Sequence, residues 1–318
     1  MLTAVIGLVS ALVYGSADFL GGLASRRISP LRVTAISAFA GLAALLVASL
    51  FVGGHWSAAA VGWGALSGVT GAIAISLLYA CLAIGPMSIL SPLTAIVSAV
   101  VPMTWGLLGG ETLAPIGYVA LGIALVAVVL VGFVPEKGAV RPSLRGILMA
   151  IGSGAMIGAF FILIDQTPDD SGLVPLVLNR TVSGILMLAA IGVVAIAARR
   201  RRMRVAALVA SGGRGEVAAS TDAPGALIPA ASEREPIATG WLPGLALAIW
   251  CGLVDAAANV LLLIGIRIGE LSVISVLTAM YPAGTIILAA AVLRERIAPV
   301  QWVGLVLALI AAGMLALA

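Results

Sequence analysis

Long apolar runs, separated by short polar segments, make up most of the chain. Each run is close to the roughly 20 residues that a helix needs to cross a bilayer. The apolar positions are continuous and do not alternate with period two, which favours helices and excludes the strands of a β-barrel. The ten predicted spans cover residues 2–24, 31–53, 60–84, 86–109, 115–134, 145–164, 174–198, 241–265, 270–293 and 298–317.

Charged residues are scarce and unevenly placed. They form 9% of the 318 residues, while 62% are hydrophobic, and ordinary soluble domains carry about 25% charged residues. Residues 33–110 contain no Asp, Glu, Lys or Arg. This composition excludes a soluble enzyme, a nucleic-acid-binding domain and a disulfide scaffold. Cys81 and Cys251 lie inside apolar runs, without metal-ligand spacing, and are predicted to be small core residues.

The chain contains an internal repeat. The segment GPMSILSPLTA at 85–95 matches GELSVISVLTA at 269–279 at six of eleven positions, with an offset of 184 residues. Upstream, Gly15 pairs with Gly158 at an offset of 143. The two offsets differ by about the length of the long connection at 199–240, so the second copy carries an insertion.

Five spans per copy force the second copy to begin on the opposite side of the membrane. The fold class predicted is therefore all-α and polytopic, with ten transmembrane helices in two inverted five-helix repeats around a central cavity. Inverted repeats are the architecture of many secondary transporters. The first repeat covers 1–134, a linker 135–144, and the second repeat 145–318, which contains a flexible loop at about 199–240.

Three groups of residues carry a family resemblance: YGSADFLGGLASRR at 14–27, the S-x-x-S-x-L-T-A starts of spans four and nine, and the E-x-x-A-P turns before spans five and ten. Together with the five-plus-five layout, they resemble the EamA-type branch of the drug/metabolite transporter superfamily over nearly the whole chain, except about 199–240. The resemblance implies a central cavity, alternating access and movement of small metabolites, often by export. It does not indicate one substrate.

Loop charges predict an orientation that departs from the family's usual one, in which both termini are cytoplasmic. Fifteen basic residues lie in the loops that follow spans one, five, seven and nine, whereas the side that carries both termini holds only Arg267. The positive-inside rule then places both termini outside and the 199–240 loop in the cytoplasm of a plasma-membrane protein.

Three ionisable residues lie inside the predicted spans: Asp18, Arg180 and Asp255. An ionisable residue there costs about 2.5–3.5 kcal/mol on insertion scales, so it usually faces the interior and often marks function. Asp255 is near the middle of span eight, on one stripe with Asn259. Arg180, beside Asn179, could form a structural ion pair with Asp255 or hold a substrate carboxylate. Asp18 could reach the membrane interface.

Further polar groups complete the predicted substrate site. Hydroxyls at three-residue spacing and prolines that break the helical ladder could bind a polar solute at the midplane, although small polar residues also serve helix packing. Two tyrosines are candidates for cavity walls. Glu111 and Glu295 are predicted to be turn or capping residues. The hydroxyl and tyrosine candidates are Ser91, Thr94, Ser275, Thr278, Tyr14 and Tyr281.

The sequence contains no H-E-x-x-H and no G-x-x-x-x-G-K-[ST], so we predict neither an enzyme nor a cofactor. The predicted function is secondary transport of small metabolites, amino-acid-like solutes among them, by alternating access, with protons as the plausible coupling ion. A passive facilitator of the same fold and a non-transporting scaffold or sensor are the alternatives. The predicted partners are the substrate and the lipid bilayer, without nucleic acid. The oligomeric state is left open, a monomer included.

Overall fold

The structure, a computed structural model, describes residues 1–28, 30–84, 87–132, 143–212, 241–294 and 296–317. Within these ranges the regular structure is helical, without strands, apart from one 3-10 turn at Asp169–Ser171. Ten helical segments are long and apolar enough to cross a membrane, which confirms the ten predicted spans. The helices are α1 Leu2–Ser25, α2 Pro30–Val52, α3 Ala58–Ile84, α4 Met87–Leu108, α5 Pro115–Gly132, α6 Leu144–Asp165, α7 Val174–Gly212, α8 Trp241–Ile268, α9 Leu271–Thr278, α10 Tyr281–Leu293 and α11 Pro299–Leu317.

The outer surface of the bundle is apolar. Leu50, Phe51 and Leu108 each expose more than four-fifths of their surface. A soluble protein seldom displays so much apolar area, and inside a bilayer every backbone polar group must be satisfied within the helix. The chain is therefore a multi-pass membrane protein whose exposed side chains face lipid.

Helix α7 corrects the predicted start of the long loop. Residues from 199 onward were expected to be a flexible loop, but α7 continues to Gly212. The membrane-spanning part ends near Val193, and the following segment is rich in arginine and alanine, which have high helix propensity. A change from apolar to charged residues ends the span without ending the helix. The rest of the predicted loop, 213–240, lies outside the described residues.

Span nine is broken into two helices. The sequence predicted one helix over 270–293, whereas α9 ends at Thr278 and α10 begins at Tyr281. Pro282 stands in the first turn of α10, where its missing N–H removes no helical hydrogen bond. Span four, predicted as one helix over 86–109, is continuous in α4, and Pro92 and Pro102 lie inside it.

The helices pack in a two-fold pattern that follows the internal repeat. Helix α1 packs mainly on α8 and on the α9–α10 pair, and its counterpart α6 packs on α3 and α4. Equivalent hydrogen bonds join these pairs. The Ser10 hydroxyl donates to the Ala258 carbonyl at 3.3 Å, and the Ser153 hydroxyl donates to the Ala74 carbonyl at 2.8 Å. The two bonds are related by the same offsets, 143 and 184, as the sequence repeat.

Three helix pairs, α2–α7, α4–α9 and α5–α11, join equivalent members of the two repeats. They lie across the pseudo-two-fold axis, and the site described below is built next to the first two. The predicted repeat boundaries at 134 and 145 stay a prediction, since residues 133–142 lie outside the described ranges. The same holds for the turn at Gly85–Pro86 and for Glu295.

Candidate functional site

An ion pair links helices α7 and α8 inside the bundle. The Arg180 guanidinium Nη2 donates to the Asp255 carboxylate Oδ2. The Asn259 amide donates to the backbone carbonyl of Asp255 at 2.7 Å and approaches Oδ2 at 3.4 Å. Arg180 and Asp255 lie near the membrane midplane, because Asp255 is 13 residues, about 20 Å, from the end of α8. Of the two roles that the sequence left open for Arg180, the structure contains the ion pair.

The ion pair joins two helices that make little other contact. Among the described residues, α7 packs on α3 and α2, while it has hardly any contact with α8. The Arg180 side chain is 18% exposed and that of Asp255 is 27% exposed. Arg180 Nε is buried and has no hydrogen-bond partner in the described part of the chain. Arg180 also lines a cavity between α2 and α7, so the pair stands at the edge of that cavity.

Helix α1 supplies a second carboxylate near the pair. Asp18 is exposed, and no described residue forms a salt bridge with it. A Cβ on Gly21, one turn after Asp18, would lie 3.2 Å from the sulfur of Cys251, which is one turn before Asp255 on α8. Asp18 lies seven residues, about 10 Å, before the end of α1. It is thus close enough to the ion pair to share its electrostatic environment.

A close crossing of α1 and α10 positions the two tyrosines. A Cβ on Gly15 would lie 2.3 Å from the Tyr281 carbonyl oxygen and 2.6 Å from the Thr285 nitrogen. The Thr285 hydroxyl donates to the Gly15 carbonyl at 3.0 Å. Only glycine allows this approach, which holds the start of α10 against the middle of α1. Tyr14 and Tyr281 are both half-buried there.

Asn179 serves the interface with the first repeat. It is 6% exposed, and its amide donates to the Ser67 hydroxyl of α3 at 3.0 Å. The Ser67 hydroxyl in turn donates to the Gly64 carbonyl at 2.7 Å. Asn179 and Arg180 are neighbours in sequence but point to different helices, so Asn179 orients α7 and Arg180 faces the cavity.

The predicted hydroxyls are mostly held in helix packing. Thr94 is fully buried and donates to the carbonyls of Leu90 and Ala150, at 3.0 and 3.2 Å. Ser275 is also fully buried and donates to the Ser272 carbonyl at 3.1 Å. Both arrangements favour the packing role. Ser91 is half-buried, and the buried hydroxyl of Thr278 has no hydrogen-bond partner among the described residues.

Glu111 makes a contact that the sequence did not specify. Its two carboxylate oxygens accept hydrogen bonds from the backbone nitrogens of Leu271 and Ser272, at 2.7 and 3.0 Å. These nitrogens belong to the first turn of α9, where an anion is favourable. The sequence indicated a capping residue but not its partner. The available signal was the offset of 184, which relates the two E-x-x-A-P turns to each other and the starts of spans four and nine to each other.

Ten apolar helices in two related halves define a polytopic membrane protein whose few interior charges lie near the midplane, where secondary transporters place their binding sites. The sequence model of the EamA-like transporter family matches residues 223–317. This match confirms the resemblance to the EamA-type branch of the drug/metabolite transporter superfamily and indicates a membrane transporter of that type.

Two other comparisons concern curated relatives and solved structures. No curated relative matches the chain significantly. A solved structure titled "Crystal structure of protein" superposes on the whole chain, covering 100% of this chain and 99% of the other, with a TM-score of 0.67 and 16% sequence identity. At that identity the likeness shows the fold alone.

Proposed function

We propose that this protein is a secondary transporter of small zwitterionic or anionic metabolites that works by alternating access. The observation that carries the proposal is the Arg180–Asp255 pair, which joins two helices that otherwise hardly touch each other. A pair needed only for stability could be replaced by apolar packing at no loss. In a transporter, a pair of this kind can open and close as the halves move.

Each group has a role in this proposal. The Arg180 guanidinium binds the substrate carboxylate when the ion pair opens, because charge-assisted hydrogen bonds are the strongest available. Asp18 attracts the substrate amine or carries the coupling proton. Asp255 already has a cationic partner, so Asp18 is the better proton carrier. The break between α9 and α10 lies next to Tyr281, and it frees α9 to move separately from α10.

The solute can be identified by comparing the metabolites of cells and their medium with and without the protein. We expect one or a few small amino-acid-like solutes to change distribution, and Arg180→Gln to abolish the change. Arg180→Lys, which keeps the charge but not the planar donor geometry, should retain part of it. An unchanged metabolite profile would contradict transport and favour a scaffold or sensor.

The same proposal includes an orientation in the plasma membrane. The loop charges support both termini outside, with the basic loops in the cytoplasm. His55 and Arg26 are exposed on opposite sides. In a background without Cys81 and Cys251, an impermeant maleimide should label His55→Cys in intact cells and Arg26→Cys only after lysis. The reverse pattern would place the termini inside.

A further inference from the structure

A cleft lies between helices α2 and α7, with Arg180 at one end. It has a volume of about 250 Å³, which is below the roughly 300–1,000 Å³ of sites for drug-sized ligands. Its walls are apolar, with Phe39 and Leu42 on α2 and Ile185 and Leu188 on α7. Arg180 is the one charged residue among those that line it.

The cleft opens on the outer surface of the bundle. Phe39 is 53% exposed and Ile185 is 60% exposed, so the wall is incomplete on the lipid side. The lining on α7 extends from Arg180 to Ile191, a rise of about 16 Å along the helix. The cleft is thus an elongated apolar space, which has a guanidinium near the membrane midplane and leads toward the side where α7 leaves the membrane.

We propose that this cleft holds the apolar body of a small amphipathic monocarboxylate while Arg180 binds its carboxylate. The proposal rests on the transport function above and names its substrate class. Charge complementarity selects the occupant, because Arg180 is the one charged group among the described residues that line the cleft. The volume selects a small molecule, since a diacyl phospholipid is far too large for it.

Gly184 gives a direct way to fill the cleft. It lines the cleft, and a Cβ placed on it meets no atom within 4 Å, so Gly184→Leu can enter the space without displacing a helix. Gly192 lies on the same helix, is outside the lining residues, and also has free space around its Cβ. Gly192→Leu is therefore a matched control for the added side chain and for the change in helix propensity.

The test is binding of straight-chain carboxylic acids, the corresponding alcohols and the α-amino acids of equal chain length to the full chain in nanodiscs of zwitterionic lipid, with empty nanodiscs subtracted. We expect acids to bind at least tenfold more tightly than alcohols, with roughly fourfold per added methylene until the cleft is full. Gly184→Leu should weaken acid binding at least tenfold, and Gly192→Leu should not change it. The double variant Arg180→Gln/Asp255→Asn, which leaves no unpaired charge, should bind acids and alcohols equally.

Three results would overturn this assignment. Equal binding of acids and alcohols to the unaltered protein would remove the role of Arg180, and full acid binding by Gly184→Leu would place the ligand elsewhere. Anionic phospholipid binding that Gly184→Leu abolishes, with no effect on acids, would make a lipid the occupant. Binding is measured without transport, so the two proposals can fail separately. A protein that binds acids but moves no solute contradicts the proposed function and leaves this assignment intact. Transport that Gly184→Leu does not affect contradicts this assignment and leaves the proposed function intact.

Discussion

At the scale of single residues, the Arg180–Asp255 pair defines the centre of the site. Each side chain places a charge inside the membrane, where an isolated charge is costly. Asn259 adds a hydrogen bond to the backbone of Asp255, which holds the carboxylate toward α7. The two charges compensate each other, so the energetic consequence of losing one is larger than that of losing both.

A double-mutant cycle measures this compensation. We expect Arg180→Gln and Asp255→Asn each to lower the free energy of unfolding by about 1–3 kcal/mol, because each leaves a partly buried charge without its partner. The double variant should be more stable than either single variant, because it contains neither unpaired charge. Unfolding in mild detergent, followed by tryptophan fluorescence, provides the comparison. Losses that simply add would mean that the two charges are not coupled.

Glu270 predicts a pH dependence at the mouth of the bundle. Partial burial and the carboxylates of Glu111 and Asp165 raise the pKa of the Glu270 carboxyl above its ordinary value. The folded state therefore binds this proton more tightly than the unfolded state, so the contribution to stability falls as pH rises through the window between the two pKa values. That window begins at about 4.3, the ordinary pKa of glutamate.

Glu270→Gln should remove this component, so the variant gains stability relative to the unaltered protein as the pH rises through that window. Asp170→Asn removes a negative charge from the same side of the membrane and serves as the control, which should keep the original pH profile. The measurement is the melting temperature of the unaltered protein and of both variants over a pH series. Identical profiles for the unaltered protein and Glu270→Gln would contradict the expectation.

At the scale of helices, a glycine contact fixes how α1 meets the broken span. Gly15 lets the backbone of α10 approach α1 directly, and the break at residues 279–280 places the start of α10 beside it. Glu111 binds the other end of the broken span, at the first turn of α9. The broken span is thus anchored at its start on the α4–α5 connection and at its middle on α1.

A pair of alanine substitutions on α1 tests this anchor. Gly15→Ala should destabilise the fold by about 1–3 kcal/mol, because its Cβ would overlap backbone atoms of α10 that cannot move aside. A Cβ at Gly22 meets no atom within 4 Å, so Gly22→Ala should be neutral or gain up to about 1 kcal/mol from helix propensity. Thermal unfolding of both variants is the measurement. Equal stability of the two would show that the crossing is looser than described.

The helices could be predicted from the sequence, because apolar runs of this length have one stable form in lipid. The repeat was also readable, since Gly15 and Gly158 and the two S-x-x-S-x-L-T-A segments kept their spacing. What the sequence could not supply is which polar side chains meet. Asn179 and Arg180 are adjacent, yet one binds α3 and the other α8, because consecutive residues on a helix point about 100° apart.

A residue that interrupts a sequence pattern does not always end a helix. Span four contains Pro92 and Pro102 and is one continuous helix, as predicted, whereas span nine was predicted as one helix and breaks just before Pro282. The arginines after residue 198 end the apolar pattern of α7 but not its backbone. Neighbouring helices and water can satisfy freed backbone groups, and a sequence does not display those neighbours.

At the scale of the whole molecule, two equivalent halves surround an asymmetric site. The serine bonds from α1 to α8 and from α6 to α3 follow the pseudo-two-fold axis, while Asp18, Arg180 and Asp255 have no charged counterparts at the related positions. Because the packing is symmetric, the two halves can adopt two equivalent arrangements relative to each other, which alternating access requires. Under the proposed function, the asymmetric charges would give the substrate one place to bind.

Solute movement in proteoliposomes tests the central claim most directly. With the solute that the metabolite comparison identifies, an imposed proton gradient should drive accumulation by the unaltered protein. Asp18→Asn should lose this driven accumulation, while Asp170→Asn, outside the spans, should keep it. Accumulation that persists in Asp18→Asn, or that survives collapse of the proton gradient, would contradict proton coupling through Asp18. The absence of any protein-dependent solute flux would contradict the transport function itself.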